Sequence, residues 1–114
     1  MLRLEKSKES LFDILSLHGE VDASNSVILD KAIQELSDSG AKYILIDGSQ
    51  LEYISSAGLG VFMSYLEDFS EKGIKLSIFG LSQKVYEVFK ILGLDQLIPL
   101  FSTKQEATTG THEV

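Results

Sequence analysis

The residues with the most chemical capacity in this chain stand close together. From Glu52 to Phe62 it reads Glu-Tyr-Ile-Ser-Ser-Ala-Gly-Leu-Gly-Val-Phe, so two adjacent hydroxyls, Ser55 and Ser56, precede Ala57, Gly58, Leu59 and Gly60. Four chemistries use such a stretch: nucleophilic catalysis, phosphate binding, reversible modification of a hydroxyl, and helix capping. A hydrolase nucleophile elbow needs Gly-x-Ser-x-Gly, and here Tyr53 or Ile54 stands where the first glycine belongs. A nucleophilic serine also needs a positioned base. The two histidines are His18, ending an apolar run, and His112, in the carboxyl-terminal tail, so no catalytic residue is assigned. Free N–H groups at a helix start suit an anion, but the Lys-Ser/Thr ending of a Walker loop and the glycine spacing of a dinucleotide fingerprint are both missing.

Capping by Ser55 or Ser56, with Gly58 and Gly60 admitting close packing, is the plain structural account. It leaves open why so many small residues share one turn, since each helical glycine gives up about 1 kcal/mol relative to alanine. A surface kept low for another protein would explain them, and a serine on that surface would be within reach of a kinase. The acidic stretch Gly19-Glu20-Val21-Asp22 precedes Ser24. Glu20 is expected to be an exposed carboxylate closing a strand. Asp22 either fixes the loop through local backbone N–H groups or borders the Ser56 surface. Tyr53 and Tyr65 are expected to be half-buried.

The elements that position these residues follow from periodicity. Alternating apolar residues over Leu2–Glu5 and Leu11–Leu17, separated by Lys-Ser-Lys-Glu-Ser, predict an N-terminal hairpin. Ser24 is the expected cap of a first helix whose Ile28 or Leu29, Ala32, Ile33 and Leu36 form an apolar stripe ending at Gly40. Tyr43–Ile46 reads as a strand buried on both faces and ended by Asp47-Gly48. A helix from Ser56 to Gly73 follows, carrying Leu59, Phe62, Met63, Leu66 and Phe69, then a strand at Ile74–Phe79. A third helix over Gln83–Leu92 turns Val85, Val88, Phe89 and Leu92 to one side. Leu97–Phe101 reads as a last short strand, with Pro99 pointing to an edge. Residues 1–108 form one domain, and 109–114 a flexible tail after one short helical turn. Alternating strands and helices imply an α/β fold with right-handed crossovers: a mixed, mainly parallel sheet of about five strands, an antiparallel N-terminal hairpin, and about four helices. In such folds functional loops gather at the carboxyl ends of the strands, where the Ser55–Ser56 stretch and the Gly19–Asp22 loop belong.

Composition sets the outer limits. In 114 residues, 44% are apolar and 24% charged, the balance of a single globular domain. The net charge of −7 opposes approach to phosphate backbones, so direct nucleic-acid binding is not expected. Without cysteine there is neither a disulfide nor a thiolate metal site, and neither a metal nor a cofactor is expected. The start of the chain lacks a signal-peptide apolar region, and no apolar run approaches the roughly 20 residues that span a bilayer. A cytoplasmic protein without membrane insertion is the expectation.

Three passages in order resemble the STAS domain, shared by bacterial anti-sigma factor antagonists and the cytoplasmic tails of sulfate transporters. They are Gly19–Ser26, Ile44–Phe62, and Ile78–Phe101 with its Leu-Gly-Leu-Asp-Gln-Leu run. The resemblance implies the STAS fold. It also implies a phosphorylatable serine, which alignment of Gly58-Leu59-Gly60 with the family's Gly-Leu-Gly places at Ser56. Ser55 then stands where the family has aspartate and Ala57 where it has serine or threonine, which leaves Ser55 as a secondary acceptor. The implied partners are an anti-sigma factor with serine-kinase activity and a phosphatase of the PPM type. The expected partner-binding residues are Asp22, Ser24, Tyr53, Ser55, Ser56, Ala57, Gly58, Leu59 and Gly60. The alternatives are a STAS subunit of a transporter or signalling assembly that binds constitutively, and a small nucleotide-binding protein using the same loop.

Overall fold

The computed structural model describes residues 1–112. Its elements are β1 (Leu2–Glu9), β2 (Phe12–Val21), α1 (Ser26–Asp38), β3 (Tyr43–Ile54), α2 (Ser56–Lys72), β4 (Lys75–Phe79), α3 (Gln83–Ile91), a 3-10 turn (Leu94–Gln96), β5 (Leu100–Phe101) and α4 (Lys104–His112). The five strands form one sheet in the order β1-β2-β3-β4-β5. β1 pairs antiparallel with β2, and the remaining pairs are parallel. The mixed, mainly parallel sheet with four helices is the architecture expected from the alternation of elements.

Strand alternation divides the core in two. Leu15, Leu17 and Val21 of β2, Ile44, Ile46 and Ile54 of β3, and Leu76 and Ile78 of β4 point to the side covered by α1, α2 and α3. Leu29, Ala32, Ile33 and Leu36 form the buried stripe of α1, while Ile28 is 47% exposed. Phe62 of α2 and Phe89 of α3 are fully buried, their rings 6.1 Å apart. On the opposite face Phe12, Ile14, Leu45 and Phe79 pack with Ala107 of α4.

Five local expectations are corrected. The hairpin strands are longer than expected, and most of Lys-Ser-Lys-Glu-Ser lies within β1; the turn is at Ser10, whose φ is 55°. Ser24 does not cap α1: its hydroxyl donates to Asp22 Oδ1 (2.6 Å), and Asn25 is the N-cap. Asp47-Gly48 does not end β3. Asp47 is the last residue paired with β4, but the strand continues to Ile54 against β2, through register shifts at Ser16/His18 and Gly19/Glu20. Leu92 is 54% exposed, because Gly93, at φ 75°, turns the chain and Leu94 takes the core position. The last strand is confined to Leu100–Phe101, while Ile98 is buried just ahead of it.

The end of the chain also departs from a single turn. α4 runs nine residues, held by buried Ala107 and by a buried hydrogen bond between Thr111 Oγ1 and Ser77 Oγ. Of the tail placed at 109–114, residues 113 and 114 lie outside the described residues. Among the described residues no helix is long and apolar enough to cross a membrane.

Candidate functional site

The site is built at the carboxyl end of β2 and β3. Because β3 continues to Ile54, only Ser55 separates strand from helix, and the expected loop is a one-residue joint. The Ser55 N–H donates to the Val21 carbonyl of β2 (2.8 Å), which ties the joint to the Glu20–Asp22 loop. Ser55 has extended backbone dihedrals, and its Oγ accepts from Gly58 N (3.3 Å), so it is the N-cap of α2. Ser56 is the first residue of the helix. It is exposed, and its hydroxyl makes no hydrogen bond among the described residues. The two adjacent serines thus differ: one hydroxyl is half-buried and engaged, the other open.

The neighbouring loop is organised by Asp22. Its Oδ1 accepts from Ser24 Oγ, Ser24 N (2.9 Å) and Asn25 N (3.2 Å), and Asn25 Oδ1 accepts in turn from Asp22 N (2.9 Å). Donation by the Ser24 hydroxyl, foremost, and by those backbone N–H groups holds the Asp22 carboxyl below the usual aspartate range. Of the two roles expected for Asp22, fixing the loop is therefore seen directly. Ser24 serves that loop as a donor and is exposed beside it. Tyr53, 45% exposed, stands opposite Glu20 in the β2–β3 register, two residues before the cap.

The two glycines separate in role. Gly58 is buried, and a Cβ there would lie 2.7 Å from both Val21 Cγ1 and Ile54 Cγ1. Gly60 is exposed, and a Cβ there would meet nothing within 4 Å. Packing explains the first and not the second, so only Gly60 keeps the surface low without an internal reason. We expect Gly58→Ala to lose about 1 kcal/mol net, overpacking of roughly 1–3 kcal/mol being offset in part by helix propensity. Gly60→Ala should gain up to about 1 kcal/mol. Thermal unfolding of the two variants reads the difference in sign.

Other candidates lie elsewhere or serve other ends. His18 Nε2 is 3.0 Å from Glu5 Oε1 of β1, and His18 hydrogen-bonds neither serine hydroxyl. Tyr65 is not half-buried but 7% exposed. Its hydroxyl donates to Asp30 Oδ1 (2.6 Å) and lies 3.0 Å from the Asp30 carbonyl, joining α2 to α1. Burial first, then the bond to Asp30, pushes the phenol far above its ordinary value. This cross-helix pair was invisible in the sequence because 35 positions separate its members.

Comparison with known proteins places these features in a family. A family model described as the STAS domain matches residues 4–107. The anti-sigma-B factor antagonist of Listeria monocytogenes is 28% identical over 88 residues, covering 77% of this chain and 77% of that protein. The crystal structure of an anti-sigma factor antagonist from Mycobacterium paratuberculosis superposes with a TM-score of 0.90 at 20% identity, over 99% of this chain and 96% of that one. The anti-sigma factor antagonist SpoIIAA in its unphosphorylated form gives a TM-score of 0.78 at 20% identity, over 100% of this chain and 98% of the other. The phosphorylated form of the Bacillus protein gives 0.70 at 20% identity, over 96% and 98%. At that identity the structural likenesses establish the fold, the sheet order and helix placement described above being shared. With nearly the whole sheet and all three helices of its main face inside the matched region, the chain belongs to the STAS domain family.

Proposed function

We propose that this protein is an anti-sigma factor antagonist whose unphosphorylated form binds an anti-sigma factor with serine-kinase activity and so frees a sigma factor. The kinase transfers the γ-phosphoryl group of ATP to Ser56 Oγ, with loss of the hydroxyl proton and departure of ADP. The modified surface then leaves its partner. A phosphatase of the PPM type returns the serine by hydrolysis.

The observation that carries this reading is the contrast between the adjacent hydroxyls. Ser56 Oγ is exposed and unengaged at the first position of α2, whereas Ser55 Oγ is held as the cap. A nucleophile presented to a kinase must be reachable, and Ser56 is the more open of the pair. The names of the relatives and the existence of a phosphorylated form in the same fold support it further. A phosphate there adds about −1.5 to −2 charges at a helix N-terminus. The dipole favours it by roughly 0.3–1 kcal/mol, so the fold accepts the group. The contact suffers, because a hydrated dianion replaces a small exposed hydroxyl.

Incubation with ATP and the host's purified anti-sigma factor kinase should add one phosphate, located on Ser56 by mass spectrometry. Ser56→Ala should take none. Phosphate on Ser55 in the wild-type protein, or none at all, would sink the assignment.

A further inference from the structure

A shallow open groove of about 350 Å³ runs between α1 and α2, immediately beside Ser56. Val27, which is 67% exposed, lines it with Ala57, Gly60 and Val61. Among its lining residues Asp30 alone is ionisable. Asp30 forms no ion pair among the described residues, and one of its carboxylate oxygens, Oδ1, is fixed by the buried Tyr65 hydroxyl. We infer that this groove receives a lysine or arginine side chain of the protein partner, its apolar stem laid along Val27, Val61 and the bare Gly60, its charged head on Asp30.

Three observations converge on that occupant. Val27, Ala57, Gly60 and Val61 give the groove a small apolar strip, flanked by Ser26 and Ser64, beside which a single half-buried carboxylate stands without a cation among the described residues. A long basic side chain is the protein group that matches an apolar wall ending in a negative charge. The protein carries a net charge of −7, so a cationic partner surface is the complementary one. Tyr65 is a positioning residue here: its donation to Oδ1 ties the carboxylate of α1 to α2 and leaves Oδ2 to receive a donor. Gly60 gains the reason that internal packing does not supply, since a side chain there would stand in empty space over the groove.

The inference rests on the reading of this pole as the partner surface, and its test separates the two. The probe is the purified anti-sigma factor retained by the unphosphorylated full-length protein, with affinity measured by calorimetry at two salt concentrations. Asp30→Asn keeps the shape and an acceptor for Tyr65. It should melt like the parent, bind about tenfold more weakly, and show a shallower salt dependence. Tyr65→Phe should weaken binding about threefold and add little to Asp30→Asn, because both act through one carboxylate. Asp30→Asn binding within about twofold of the parent, or weakening without any change in salt dependence, overturns the groove assignment. If instead Ser56→Asp binds as the parent does, the switch reading fails, whatever Asp30→Asn shows.

Discussion

Ser56→Asp should abolish partner binding by about a hundredfold or more, while Ser56→Ala stays within about threefold of the parent. The magnitude follows from charge at a close contact. Taking a hydrated charge out of water at a contact built for a small hydroxyl costs several kcal/mol, and about 2.7 kcal/mol is a hundredfold in affinity. Aspartate brings one negative charge to the first turn of α2, one residue after the Ser55 joint that is tied to the Glu20–Asp22 loop. The alanine variant removes a hydroxyl that bonds nothing within the described structure, so little is lost with it. Stability distinguishes a switch from damage. A carboxylate at a helix N-terminus is favourable by roughly 0.3–1 kcal/mol, so Ser56→Asp should melt at or slightly above the parent. Equal binding by the two variants would end the phosphorylation model. Loss of binding together with a lowered melting temperature would assign the effect to the fold.

The largest stability effect belongs to Phe62→Ala. Phe62 is fully buried on the inner side of α2 with its ring against that of Phe89, and removing it deletes contacts on both helices. Buried Phe→Ala substitutions cost about 3–5 kcal/mol, against a total stability of roughly 5–15 kcal/mol for a domain of this kind. At about 4–8 °C per kcal/mol the melting temperature should fall by some 10 °C at the least. Binding should fall only through the loss of folded molecules. An osmolyte that restores folding should restore it, in contrast with Ser56→Asp, whose defect no osmolyte mends. A Phe62→Ala protein that melts within a few degrees of the parent would mean that α2 is not anchored as described.

How far the sequence spoke for the structure depended on the distance over which each feature is decided. The stripe of Ala32, Ile33 and Leu36 and a serine cap at the start of α2 are settled within one or two helical turns, and periodicity and residue type found them, while Leu29 over Ile28 and Ser55 over Ser56 came from the structure. The course of β3 past Asp47 was hidden because Asp-Gly is turn chemistry. Asp47 Oδ1 does accept from Ser49 N (3.0 Å) as in a turn, yet pairing with β2 carries the strand onward. α4 was hidden for a related reason. Besides Ala107, its hold on the sheet is Thr111 on Ser77, a polar pair 34 positions apart that apolar periodicity does not register. At the site, the choice between Ser55 and Ser56 turned on which hydroxyl lies inward, a matter of helix start to within one residue. The groove was beyond reach, since Asp30 and Tyr65 meet only when two helices pack.

The overhang of β3 separates what keeps this domain folded from what it offers to others. From Tyr43 to Asp47 the strand has a neighbour on each side; beyond Asp47 it is paired with β2 alone, and Ser49, Gln50, Glu52 and Tyr53 face outward there. Exchanges at such exposed positions ordinarily change stability by no more than about 0.5 kcal/mol. Substitutions there can therefore redraw the surface around the serine while the packing of the central sheet stays as it is. Latitude in the surface at constant stability is what this geometry supplies, through seven residues of strand that outrun their neighbour.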